Sequence, residues 1–216
     1  VAGNAAEADA LRAHAARVLA DFHRLLVLDD EIMGYALFKP DGAVEPMLHP
    51  RDRTTGVQHS LLPMMHAILG NMLSPEQARH HLALIRSHLS GPDGARLFDQ
   101  PMAYRGGPQT WFQRAESSSY FGREIGLMYT HAHLRYTEAL AHMGEAEAFF
   151  DALGLAHPVA LHERLPQATR RQANCYYSSS DAAFADRAEA SAHYDRIASG
   201  QVALEGGWRV YSSGAG

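Results

Sequence analysis

The sequence predicts a mainly α-helical chain with one small β-hairpin. Three observations carry this. Apolar residues recur at three- and four-residue steps in several long windows, as the buried stripe of a helix requires. Some of these windows open with helix-capping sequences, and glycine or Gly-Pro follows them. Period-two alternation around a tight turn is clear in one place only.

Asn4-Ala5-Ala6-Glu7 reads as a helix start, a capping box with Asn in the cap position, and Leu11, Ala15, Val18, Phe22 and Leu25 give an amphipathic pattern ending near Asp29-Asp30. Met33 to Phe38 and Ala43 to Leu48 form the predicted hairpin. Pro40 pre-sets φ in the turn between them and Gly42 accepts positive φ. His49 to Gly56 is a polar loop offering several groups that could meet a ligand. Leu61, Met65, Ile68 and Met72 mark the next helix. Ser74-Pro75-Glu76-Gln77 is a strong start signal for another, with Ala78, Leu82, Ile85 and Leu89 on its buried face and Gly91-Pro92 as its stop.

Leu97 to Glu116 is loop-rich, and a connection of that length usually serves function. A central helix is predicted from about Tyr120 to Met143, then one from Glu145 to Leu153 closed by Gly154. Pro158 to Cys175 reads as irregular, Asp181 to Ser199 as a weaker helix, and Val202 to Tyr211 as short extended structure. Helical hairpins in succession suggest a solenoid, a bundle or a closed α/α toroid.

A chain of 216 residues with 46% apolar content can bury one sizeable core. The net charge of −5 is spread without blocks and gives no reason to expect nucleic acid or an acidic membrane. No apolar run reaches membrane-span length, and no signal-peptide pattern is present. The single Cys175 excludes an internal disulfide and suits a cytoplasmic protein. The chain opens on Val1 and ends on Ser212-Ser213-Gly214-Ala215-Gly216, which suggests a fragment.

Fourteen histidines raise the question of a metal. His131 and His133 stand at i and i+2, which point to different faces of a helix, and no H-E-x-x-H or C-x-x-C pattern exists. Surface or hydrogen-bonded histidines are the better reading, with no metal site. Ser178-Ser179-Ser180-Asp181 lacks a nucleophile elbow, and Gly106-Gly107 lacks the lysine of a phosphate loop.

The densest chemistry lies in Arg123 to His133, R-E-I-G-L-M-Y-T-H-A-H, with a cation, a carboxylate, a phenol, a hydroxyl and two imidazoles. Arg123-Glu124, Gly126 and Tyr129-Thr130-His131-Ala132 resemble the R-E-N-G-G-Q-Y-T-H-A segment of the inverting β-glycoside phosphorylases of glycoside hydrolase family 94. Leu140 to Val159, Asn174 to Asp181, Gly206-Gly207-Trp208 and Tyr211-Ser212-Ser213-Gly214 follow in the family's order, and Leu61 to Pro92 fits a helix pair upstream. The family's N-G-G-Q is Ile125-Gly126-Leu127-Met128 here, and Phe112 to Phe121 has no counterpart in it.

The resemblance implies that residues 1–216 form the C-terminal half of an (α/α)6 toroid that lacks its N-terminal half. It implies phosphorolysis of a β-glycoside with inversion, inorganic phosphate as co-substrate, an oligosaccharide partner and no other cofactor. His131, Ser212, Ser213 and Gly214 would bind phosphate, meeting in space across some eighty positions; Arg123, Glu124 and Tyr129 would bind sugar. The general acid, an Asp in a W-x-D segment, would lie upstream of Val1, so the chain alone should be inactive. A hydrolase or transferase of the same fold and a non-catalytic carbohydrate-binding or assembly module are the alternatives. Half a toroid would also leave a wide apolar surface, including Leu61, Met65, Leu134 and Leu140, that drives association with itself or another chain.

Overall fold

A computed structural model of the chain describes residues 3–100, 102, 108–112, 128, 130–157, 161–164, 192, 193, 195, 196, 199 and 201. The order of elements is α1 (Ala5–Leu26), β1 (Val27–Leu28), β2 (Glu31–Ile32), β3 (Tyr35–Phe38), β4 (Val44–Met47), α2 (Leu61–Leu69) and α3 (Pro75–Leu84). A π-helical turn, Ile85–Leu89, extends α3 into β5 (Ser90–Gly91) and β6 (Gly94–Ala95). After these come α4 (Thr130–His142), α5 (Ala146–Ala156) and α6 (Leu161–Arg164).

Local signals set several boundaries. Asn4 caps α1 by accepting the Glu7 N–H, the one half of the expected capping box that forms among the described residues. Ser74 and Gln77 form the reciprocal capping box that starts α3, with Pro75 at the first helical position. Ser74→Ala is expected to cost about 1 kcal/mol, read as a fall in the urea midpoint. An unchanged midpoint would mean that packing alone fixes this helix start. The hairpin β3–β4 pairs Tyr35 with Met47 and Phe38 with Val44, and Gly42 takes φ +83° in the turn.

One core joins α2 and α3 to α4 and α5. Leu61, Met65, Ile68, Leu82, Ile85, Leu89 and Leu140 are buried in it. Each large side chain so buried contributes roughly 1.5–3 kcal/mol. Leu61, Met65 and Leu140 therefore do not line the open apolar surface expected of them, and Leu134 is half-buried. The helix pairs close on one another and consume that face. A smaller cluster, Leu48, Val57 and Met102 with Phe98 and Phe112, lies under the β3–β4 hairpin.

Further expectations need correction. α1 buries none of its residues, and Leu11 and Val18 on its apolar stripe are 63% and 50% exposed. Its chain then enters the extra hairpin β1–β2, whose turn residues Asp29 and Asp30 take positive φ. Of the predicted central helix, Thr130–His142 is helical and Met128 is extended, bridging Arg96, so no unbroken helix runs through it; 120–127 lie outside the described residues. Gly154 lies inside α5 instead of closing it, and α6 interrupts the segment read as irregular. The predictions for 181–191 and 202–211 fall outside the described residues.

Candidate functional site

His131 lies in the first turn of α4, half-buried, with Thr130 buried before it. The other positions assigned to sugar or phosphate, Arg123, Glu124, Tyr129, Ser212, Ser213 and Gly214, lie outside the described residues. The β5–β6 hairpin holds Met128 and His133, on either side of His131. Its turn, Pro92-Asp93, delivers the buried Asp93 carboxylate to the Met128 N–H at 2.9 Å. Arg96 pairs with Met128 across an antiparallel bridge, and its guanidinium stands 3.9 Å from Asp93 with both side chains almost fully buried.

His133 completes this anchor. The Ala95 N–H donates to its Nδ1 at 3.0 Å, and its Nε2–H donates to the Ala152 carbonyl at 2.7 Å. These two bonds assign the tautomer and require a neutral ring. Burial pushes its pKa below the usual histidine value, against the opposing pull of the Ala152 bond and the Asp93 charge. His131 and His133, two positions apart, do serve different faces.

Two glycines permit the close approach. A Cβ on Gly94, at φ +130°, would stand 2.8 Å from Met128 Cγ and 2.9 Å from His133 Nδ1. One on Gly91 would overlap the Arg96 guanidinium. Sequence reading took Gly91-Pro92 as a helix stop and so missed Asp93 and Arg96. The Pro-Asp-Gly run that follows was the available signal for a turn.

Two more buried histidines repeat the bridging pattern. His49 accepts the Arg51 N–H and donates to the Leu28 carbonyl; His81 accepts the Ile32 N–H and donates to the Gln77 carbonyl. In the loop His49 to Gly56 the Asp52 carboxylate is bonded from within, while Arg51 and Arg53 are exposed. Burial alone would raise the Asp52 pKa, but hydrogen bonds from Thr55, Leu48 and Thr54 outweigh it and hold the carboxyl below the usual range. Arg51 pairs with Asp29 at 2.5 Å.

A second group surrounds His59, which is buried and stacks on the exposed His88 at 4.1 Å. Its Nε2 lies 3.5 Å from Glu31. Burial, helped by the nearby His88 and His49 charges and opposed by Glu31, pulls its pKa down to about 4. At neutral pH Glu31 therefore faces an uncharged ring, and the contact is no ion pair. Among the described residues, no group of three or more His, Cys, Asp or Glu could hold a metal ion. An open cleft of about 640 Å³ between the Asp29-Asp30 turn and the start of α3 is lined by Glu31 and Glu76 as well. Its carboxylates disfavour an anion.

Over 203 residues, 94% of the chain, the sequence is 40% identical to a 1,2-beta-oligoglucan phosphorylase of Listeria innocua. The chain is similar to one segment of that enzyme. It spans 19% of the length of this curated relative. No protein-family model matches the chain. Among the described residues, no helix is long and apolar enough to cross a membrane.

Proposed function

We propose that the chain is part of the catalytic region of an inverting β-glycoside phosphorylase of glycoside hydrolase family 94 type, acting on a β-1,2-linked oligoglucan. The observation that carries this reading is the 40% identity, over nearly the whole chain, to a phosphorylase of that substrate class. The helix pairs α2–α3 and α4–α5, packed around one core, support half of an (α/α)6 toroid.

In this reading phosphate attacks the anomeric carbon, the glycosidic oxygen leaves with a proton from a carboxylic acid, and a sugar 1-phosphate of inverted configuration forms. Phosphate is already an anionic nucleophile, so the second carboxylate of an inverting hydrolase is not needed. The acid lies on a part of the polypeptide beyond this chain. His131 contributes an imidazole at the first turn of α4, where helix N–H groups and the helix dipole favour an anion. Ser212, Ser213 and Gly214 add hydroxyl and amide donors to the same phosphate, while Arg123, Glu124 and Tyr129 hold sugar hydroxyls. Inorganic phosphate is the only co-substrate.

The complete polypeptide, given a β-1,2-oligoglucan and phosphate, is expected to release a sugar 1-phosphate. His131→Ala should raise the phosphate KM by about tenfold or more with the glucan KM within about twofold. Free reducing sugar at a rate indifferent to phosphate would instead assign a hydrolase. Oligosaccharide binding without product would assign a binding module.

A further inference from the structure

The segment that presents His131 is tied to the β5–β6 turn by two bonds that run in opposite directions. The hairpin's side chain Asp93 accepts the backbone N–H of Met128, and the segment's side chain His133 accepts the backbone N–H of Ala95. A reciprocal pair of this kind fixes register, where a single bond would fix only proximity. His131 lies between the two tied positions. Register matters here because one residue of slip at a helix start turns every side chain by about 100°.

The surroundings leave the pair little freedom. Met128 is fully buried, Asp93 is 1% exposed, and the second nitrogen of His133 is held by the Ala152 carbonyl of α5. Gly94 brings the turn so close to Met128 and His133 that no Cβ fits between them.

We infer that Asp93 and His133 are positioning residues for His131: they fix where α4 begins and so the direction in which the His131 imidazole is presented. This rests on the phosphate role proposed for His131. Neither residue needs to touch the anion.

Two substitutions of His133 separate positioning from mere packing. His133→Asn places an oxygen near Nδ1 and keeps an acceptor for the Ala95 N–H. His133→Gln places an amide nitrogen near Nε2, keeping the bond to Ala152 but losing the bond to the hairpin. Initial rates of phosphorolysis by the complete polypeptide, with phosphate and β-1,2-oligoglucan varied in turn, read both Michaelis constants. In His133→Gln the phosphate KM is expected to rise about tenfold with the glucan KM within about twofold, and His133→Asn should stay within about threefold of wild type. His133→Gln combined with His131→Ala should have the phosphate KM of His131→Ala alone, because no imidazole remains to be positioned.

Equal losses in the two His133 variants, or a fall in kcat alone, would overturn the inference. So would additive effects in the combined variant. If His131→Ala raises the phosphate KM and His133→Gln does not, positioning fails while the phosphate reading stands. If His131→Ala leaves the phosphate KM unchanged, both fall.

Discussion

Gly94→Ala is expected to lower the stability of the fold by roughly 2–4 kcal/mol, one of the largest effects of any single methyl group added here. Two costs combine. The backbone at φ +130° lies where side chains are strained, and the added carbon would meet Met128 and His133 inside 3.0 Å. Neither neighbour can yield easily: Met128 is fully buried and His133 is bonded through both ring nitrogens. Gly42→Ala is the matched control. At φ +83° with nothing within 4 Å of the new carbon, it carries the backbone cost alone, about 1 kcal/mol. The check is the shift in urea midpoint at constant slope. Equal shifts for the two variants would mean that the hairpin tip has room, and the tight seating of Met128 and His133 would be wrong.

The features legible in the sequence were those whose physics is local. The Asn4 cap, the Ser74–Gln77 capping box and the Lys39-to-Gly42 turn each depend on residues within four positions of one another, and each formed. The buried stripes of α2 and α3 were also legible, because helical periodicity is local too. What they pack against was not. The face of Leu61, Met65 and Leu140 closes on neighbouring helices, so the surface anticipated for association is core. No local pattern announces that Asp93, thirty-five positions away, captures the Met128 N–H just before α4. The apolar spacing of α1 announced a helix correctly, yet Leu11, Ala15 and Val18 of its stripe stay exposed while Phe22 and Leu25 are half-buried. Periodicity gives a face, not its partner.

The candidate site divides in the same way. His131 was singled out by a resemblance in sequence, and its place at a helix start is compatible with an anion. His133 drew notice only as a neighbour that could not chelate with it, although it proves to be the residue wired to both the hairpin and α5. In the loop His49 to Gly56, composition suggested ligand groups, whereas Asp52 gathers Leu48, Thr54 and Thr55 around itself. A polar residue type shows what bonds a side chain can make; it does not show whether they are already made.

Acid should destabilise this protein from about pH 6.5 downward. His59, His81 and His133 all have pKa values lowered from 6.5, each chiefly by burial. The unfolded chain therefore binds protons at these positions at a pH where the folded chain does not. Stability is full above the unfolded value of about 6.5 and is lost as pH falls toward the folded values. For His59 the window runs down to about 4, and that group alone can account for roughly 3 kcal/mol across it. The facing charges moderate the effect without reversing it: Glu31 for His59, Asp30 for His81 and Asp93 for His133 favour protonation, while His88 and His80 oppose it. Protonating His81 or His133 also removes the acceptor for a buried backbone N–H, of Ile32 or Ala95. Asp99, raised from 3.8 by burial, acts with the opposite sign. Urea unfolding at a series of pH values between 7.5 and 5 should show a monotonic loss. His59→Phe, which keeps a ring to stack on His88, should flatten the slope. Constant stability across that interval, or the same slope in His59→Phe, would mean that His59 is protonated in the folded protein and paired with Glu31 as an ion.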